Sequence, residues 1–273
     1  NIKFIGNTAK GSGYGFTISY SNGGCSNISI ENSFIDVLSD SGGTSHGIQI
    51  DGSSLYDTTD IRIINNYIRT SDPTGTSIKI TGNNTVKDIT IQGNHIYSPN
   101  YLGFYMDGKI GSKNLKISNN IIKSRVGNLI NNIIGVVFEN NIVENTDVGG
   151  QQYDNVSESI YKNNKFINSP ITNTLKTIVD GNEFYGVGNN PVNVGPNSII
   201  TNNTGLNTNL VTGSSSIILD NRFQAYFGSG LGTAYTSNDY KITFPNVYLD
   251  NSKLSVNTLE NTYSLNVKDN AEI

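Results

Sequence analysis

The sequence predicts an all-β solenoid of about ten stacked coils, and three observations carry that prediction. The first is composition. The 273 residues include 42 Asn and 29 Gly with no Trp, and Asn, Gly and β-branched residues are poor helix formers. The second is a short recurring pattern, apolar-x-apolar-x-(Asn/Gly)-Asn-x-apolar. The third is the period-2 alternation inside that pattern, which puts apolar side chains on one face of a strand.

The clearest copies are 61–68 (IRIINNYI), 89–96 (ITIQGNHI), 115–122 (LKISNNII) and 136–143 (VVFENNIV). Weaker copies cover 2–7, 28–35, 159–166, 177–184, 198–205 and 216–223. The second Asn of the pattern falls at 7, 33 (where Ser33 stands), 66, 94, 120, 141, 164, 182, 203 and 221, at intervals of 18 to 33 residues. Irregular spacing around a fixed corner is what stacked coils give when the other loops vary in length.

Within each copy, Ile61 and Ile63, Ile89 and Ile91, or Leu115 and Ile117 point inward, and Arg62, Thr90 and Lys116 point outward. The Asn-Asn or Gly-Asn pair bends the chain, because both residues tolerate left-handed backbone. Ile68, Ile96, Ile122 or Val143 then re-enters the core. A second strand precedes the better copies, at 15–19, 47–51, 77–81 and 103–107, so each coil has three sides. Rungs about 4.8 Å apart make ten coils a rod of roughly 45 Å. Asparagines in register at the corner form a ladder of amide hydrogen bonds, which accounts for most of the Asn.

Coils shorten toward the C-terminus, which concentrates protruding loops in the first half, where function usually sits. The pattern ends at Phe223. Residues 1–223 are therefore assigned to the solenoid and 224–273 to a β-rich C-terminal cap or oligomer contact, with short strands at 240–244 and 247–249 covering an end that would otherwise pair with other chains. Asn1 to Phe4 read as a strand already in progress, so an N-terminal head is expected outside this chain.

A net charge of −4 without any Lys/Arg cluster argues against a nucleic-acid or anionic-lipid partner. No apolar run reaches the roughly 18 to 20 residues that span a bilayer, so no membrane partner is expected. Cys25 is the single cysteine; it cannot form an intrachain disulfide and reads as a small buried hydrophobe.

Corners of the form I-x-I-x-N-N-x-I, preceded by Gly-Ile-x-Ile-Asp strands such as 47–51, resemble the right-handed parallel β-helix proteins of the pectate-lyase-like superfamily. The resemblance covers about residues 1–223. The irregular Asn/Ser/Gly/Tyr-rich coils and the change of texture after Phe223 look most like bacteriophage tailspikes and tail appendages. That likeness implies a single-stranded right-handed parallel β-helix, a homotrimer with its rods side by side, a virion or extracellular location, and a bacterial surface glycan as partner. The implied activity is depolymerisation of that glycan by hydrolysis. The alternatives are a non-enzymatic glycan-binding receptor, a polysaccharide lyase or epimerase, and a structural adhesin. The acidic calcium site with an Arg base that marks pectate lyases has no counterpart beside Arg62, Arg69, Arg125 or Arg222. No cofactor or metal is expected, with a structural or lyase-type calcium left open.

Stacking the four Gly-Ile-type strands in register gives outward columns. One is Thr17, Gln49, Lys79, Tyr105; the next is Ser19, Asp51, Thr81, Asp107; Tyr14, His46, Thr76 and Leu102 come just before the strands. Asp51 and Asp107, two coils apart, would have backbones roughly 9.6 Å apart, and leaning side chains reach the ~6.5–9.5 Å that leaves room for water in inverting glycoside hydrolysis. Asp51, Asp107 and His46 are the candidate catalytic residues. Gln49, Lys79 and Tyr105 are the candidate glycan contacts, with Tyr105 as a stacking platform. One aspartate is expected to be the general acid and the other to activate water. A second acidic set, Glu139, Glu144, Asp147, Asp154 and Glu158, lies in the short coils. Asp36 and Asp40 fall in a long loop read over 34–46, and His95 reads as a structural surface residue.

Overall fold

The computed structural model describes residues 2–19, 25–38, 44–52, 55–82, 84–147, 151–185, 192–206, 210–212, 217–219, 222–224, 246–249, 253–254 and 264–267. These residues contain strands and no helix, and every strand pairing is parallel. The chain is a parallel β-helix. Each coil contributes a strand to each of three faces, seen in Ile48–Gly52, Thr58–Ile64 and Tyr67–Thr70, followed one rung on by Ile78–Gly82, Val86–Gln92 and His95–Ser98. Ten strands from Thr8–Ser12 to Arg222–Gln224 stack as the third face. In mid-chain the first two faces are joined without a loop, as the continuous strands Leu102–Ser118 and Gly127–Glu139. The separate strands read at 103–107 and from 115 are thus one strand bent at an irregularity between Asp107 and Ser112.

The corner between second and third faces works as the pattern predicts. Its first residue is left-handed at Asn32, Asn65, Asn119, Asn140, Asn163 and Asn202, with Gly6, Gly93 and Gly181 in the same role. Its second residue turns inward. The backbone N–H of Asn66 donates to Asn94 Oδ1 at 2.8 Å, its Nδ2 donates to the same oxygen at 3.0 Å, and Nδ2 also donates to the Ile30 carbonyl at 2.8 Å. The same unit repeats through Asn120, Asn141, Asn164 and Asn182 to Asn203, and Ser33 carries the ladder on to Asn7, donating its N–H to Asn66 Oδ1 and accepting the Asn7 N–H on its Oγ at 3.2 Å. These amides are almost fully buried, a position open to polar groups only when they are hydrogen-bonded. Gly181 serves the ladder's outer row: a Cβ there would lie 2.6 Å from Asn163 Oδ1.

A second left-handed column runs along the corner between the first and second faces: Asn27, Asp60, Asp88, Asn114, Gly135, Glu158, Lys176 and Asn197. Its residue types vary too much to form a readable pattern. The core is a single stack of inward Ile, Val and Phe. In the later coils Phe138, Phe166 and Phe184 stack successively, with ring centroids 6.0 and 5.2 Å apart.

Asp36, assigned from sequence to a loop, lies in the strand Phe34–Leu38, where its register partner is Arg69 and the two form a 3.8 Å ion pair. The strand continues because Ile35 and Val37 both have inward partners on the next coil. Asp40 lies outside the described residues, as does 240–244. Of the C-terminal segment, Asn246–Leu249 pairs with Ser264–Val267, and Lys253–Leu254 adds a rung to the second face beside Ile217 and Ile218.

Candidate functional site

The first face brings the candidate residues together in the expected register. Thr17, Gln49, Lys79 and Tyr105 are successive partners, as are Ser19, Asp51, Thr81 and Asp107. The inward residues between them, Ile48, Ile50, Ile78, Ile80, Phe104 and Met106, are wholly buried. Alternation therefore fixes Gln49, Asp51, Lys79, Tyr105 and Asp107 on the outside of a rigid sheet. The columns continue to Leu129 and Asn131.

Both aspartates are held. Gln49 Nε2 hydrogen-bonds to Asp51 Oδ2, and Thr81 Oγ1 donates to Asp51 Oδ1 at 2.6 Å. Tyr105 Oη donates to Asp107 Oδ2 at 3.3 Å. Burial, and then the Asp107 charge, push the Tyr105 hydroxyl above the usual phenol range, so the phenol keeps its proton and remains a donor. Thr81, on the rung between the two aspartates, is a site residue that sequence reasoning placed in the column without giving it a role. Its signal was its position: a hydroxyl one rung from a carboxylate is in reach of it.

His46 does not project with the others. It is only 5% exposed, its ring lies 5.8 Å from the exposed Tyr14 ring, and its Nδ1 accepts the Thr76 backbone N–H at 3.0 Å. The expected outward position fails because the chain is turning a corner there, where Ser45 to Ile48 are all buried. Burial and then the nearby Lys79 ammonium push the imidazole below its ordinary range, against the opposing pull of Asp51 and Asp72. His46 is thus a neutral ring behind the site with its remaining proton on Nε2. Asp72, which sequence reasoning missed, fixes this corner. Burial alone would raise it, but hydrogen bonds from Thr74 and Ser45 outweigh burial and hold the carboxyl below its usual range.

Cys25 lies beneath Asp51, its thiol donating to the Asp51 carbonyl at 3.5 Å. Burial, then the Asp51 charge, raise the thiol, leaving it protonated and a poor nucleophile. The second acidic set is scattered by comparison. Glu139 pairs with Lys116 at 2.8 Å, Glu144 with Lys123 at 2.8 Å, Asp147 with Arg125 at 2.9 Å and Glu158 with Lys176 at 3.5 Å; the Asp154 side chain lies outside the described residues. Such surface pairs contribute about 0–1 kcal/mol each. His95 sits exposed at the corner, edge-on to Tyr67 at 5.2 Å. Tyr67 in turn stacks on Phe34 at 5.1 Å with its plane tilted by 4°, so the ring faces of this third-face column are spent on each other. Among the described residues no group of three or more His, Cys, Asp or Glu is placed to hold a metal ion.

An open groove elsewhere, along the asparagine corner, is lined by Asn140, Asn163, Lys165 and Glu183 among others; it contains no carboxylate pair. On the first face Gln49, Asp51, Lys79, Thr81, Tyr105 and Asp107 are half-buried along successive rungs. Chemically this face offers two fixed carboxylates on one column, flanked by an amide, an ammonium and a phenol.

No protein-family model matches the sequence, and no curated protein matches it either. Solved structures are similar to this chain, and one at a TM-score above 0.5 shares the fold. Tailspike protein 2 from Escherichia coli O157:H7 bacteriophage CAB120 superimposes with a TM-score of 0.52 and 13% identity over 92% of this chain, which spans 42% of the tailspike's length. DFA-IIIase of Arthrobacter chlorophenolicus A6, solved in complex with DFA-III, gives 0.49 and 12% identity over 96% of this chain and 73% of its own. The surface adhesin PfbA of Streptococcus pneumoniae gives 0.45 and 13% over 92% and 71%. At these identities the likeness is one of fold.

Proposed function

We propose that this β-helix binds a bacterial surface polysaccharide along its first face and hydrolyses it there, as part of a tailspike-like, extracellular or virion-borne homotrimer capped by residues 224–273. The observation that carries the reading is the column Asp51–Thr81–Asp107 beside the column Gln49–Lys79–Tyr105. A second outward column, Glu139–Lys162–Asp180, has the same spacing, but its carboxylates are paired with Lys116 and Lys162, whereas Asp51 and Asp107 are held by uncharged side chains. The run of the first-face columns over successive rungs suits a polymer, which can lie along them.

In this reading the chain uses the two aspartates differently. Both Asp51 oxygens are engaged, by Gln49 and Thr81, which orients the carboxylate to take a proton from a water held toward Asp107. That water attacks the anomeric carbon and the glycosidic C–O bond breaks. As general acid Asp107 enters the step with a proton on Oδ1, its Oδ2 accepting from Tyr105, and gives that proton to the departing oxygen while Asp51 keeps the one taken from water. Gln49, Lys79 and Tyr105 hold the sugar hydroxyls and ring. His46, neutral and buried, supports the strip from behind.

The test is release of reducing ends from purified capsular or lipopolysaccharide glycan. Asp51→Asn and Asp107→Asn should each lower the rate at least 100-fold while the melting temperature stays within a few degrees. Normal cleavage by both variants would remove the aspartates from the mechanism. Glycan binding without cleavage by the unaltered chain would favour the receptor reading, to which the full engagement of Asp51 by its own neighbours also lends itself.

A further inference from the structure

One outward column of the second face changes character along the rod. In register it runs Lys3, Ser29, Arg62, Thr90, Lys116, then Val137, Ile160, Ile178, Ile199, with Ile217 next in line. The residues between them on each later strand, Phe138, Tyr161, Val179 and Ile200, fill the core, so the second apolar row is surplus to it. Ile178 and Ile199 remain 36% and 37% exposed. An unbroken outward row of β-branched residues over four rungs is unusual on a soluble sheet face, where alternation favours polar groups.

We infer that this C-terminal half of the second face is the surface through which copies of the chain pack against one another, rods parallel and in register. The inference deepens the trimer reading above by naming its contact. Three features point to a copy of the chain rather than to another partner. Around a symmetry axis parallel to the rods each residue meets its own counterpart at the same height, so only apolar or internally neutralised rows can lie near the axis. Here the flanking row is neutralised within the chain: Glu139 by Lys116 and Asp180 by Lys162. A charged partner would therefore find little unspent charge to answer. The same column nearer the N-terminus would set Lys3 and Arg62 against their own counterparts, so symmetric packing becomes possible only beyond them, where the column turns apolar at Val137.

Size sets the strength. Five rungs of about 4.8 Å by three outward columns give on the order of 500 Å² per copy, below the ~800 Å² per partner of a standard stable interface. Association through this strip alone should be weak and concentration-dependent.

Sedimentation velocity from about 5 to 500 μM tests this, with Ile178→Lys/Ile199→Lys as the variant and Ile121→Lys, at an equally exposed apolar position on the third face, as the control. The unaltered chain and the control should show average mass rising with concentration, and the double variant should stay monomeric with an unchanged circular dichroism spectrum. A chain monomeric throughout would overturn both the trimer reading and the contact; association undiminished in the double variant would overturn the contact alone. A drop in melting temperature without any change in mass would mean that the row is covered from within its own chain, which also overturns it. Should the double variant fail to fold, Ile178→Cys replaces it. Mild oxidation with copper–phenanthroline should link two copies through residue 178, since the native Cys25 is buried, whereas Ile121→Cys should stay unlinked; equal linking of both rejects the contact.

Discussion

The inward column of the third face reads Ile35, Ile68, Ile96, Ile122 in the early coils and Val143, Phe166, Phe184 in the later ones. Where the two halves meet, the connection between the first and second faces disappears into the continuous strands Leu102–Ser118 and Gly127–Glu139, and the outward second-face column turns from charged to apolar. The asparagine corner crosses both halves unchanged. The constant corner sets the rung spacing, so each half is free to vary what it encloses and what it presents. The early half presents polar columns beside long connections, and the later half an apolar second-face column.

The largest expected difference between the halves is in the core. Phe166 stacks between Phe138 and Phe184, and Phe166→Ala should cost about 4 kcal/mol of unfolding free energy. Ile68→Ala, in the same column, should cost about 3 kcal/mol. Urea unfolding measures both. Equal costs would mean that the later half relaxes around the lost ring and that its aromatic stack is no tighter than the isoleucine stack.

The ladder sharpens the comparison from the other side, because it should be indifferent to which half is cut. Asn120→Ala takes the acceptor from the Asn94 N–H and from Asn94 Nδ2, and the donor from the Ile91 carbonyl. Leaving buried groups unpaired costs about 1–3 kcal/mol each, partly offset because Asn94 Nδ2 keeps the Ile63 carbonyl; about 3 kcal/mol is expected. Asn94→Ala and Asn164→Ala should cost the same within about 1 kcal/mol. A large gap in chemical-denaturation midpoints would show that the corner is load-sharing with its local coil rather than uniform.

Legibility follows the same division. The coils, the ladder and the register of Asp51 with Asp107 could be read because strand alternation and the Asn corner impose residue types directly. His46 could not be placed, because a corner residue obeys no alternation and its burial depends on Asp72 and Thr76 from the next coil. The Ser/Gly-rich sequence after Asp36 points to a loop, although Ile35 and Val37 carry a strand's alternation. The second left-handed column escaped notice because Asn, Asp, Gly, Glu and Lys all occupy it; a backbone requirement met by five residue types leaves no pattern.

That column supplies the smallest effect, and one of opposite sign. The early coils fill it with Asn27, Asp60 and Asp88, residues that tolerate left-handed backbone, whereas the later ones hold Glu158 at φ 53° and Lys176 at φ 48°. A residue with an ordinary Cβ loses roughly 1–2 kcal/mol in that conformation. What Lys176 gains in return is a 3.5 Å ion pair with Glu158 between side chains about 60% exposed, a contact of the kind that contributes about 0–1 kcal/mol and is screened by salt. Relief of backbone strain outweighs loss of the pair, so Lys176→Asn should stabilise the chain by about 0.5–1 kcal/mol. The gain should grow at 0.5 M NaCl, where the native pair is already screened. The reverse change at the early position, Asn27→Lys, should destabilise by a similar amount. Differential scanning calorimetry of the two variants checks the signs; a Lys176→Asn variant that melts below the unaltered chain would mean that the ion pair, and not the backbone, sets the preference at this corner.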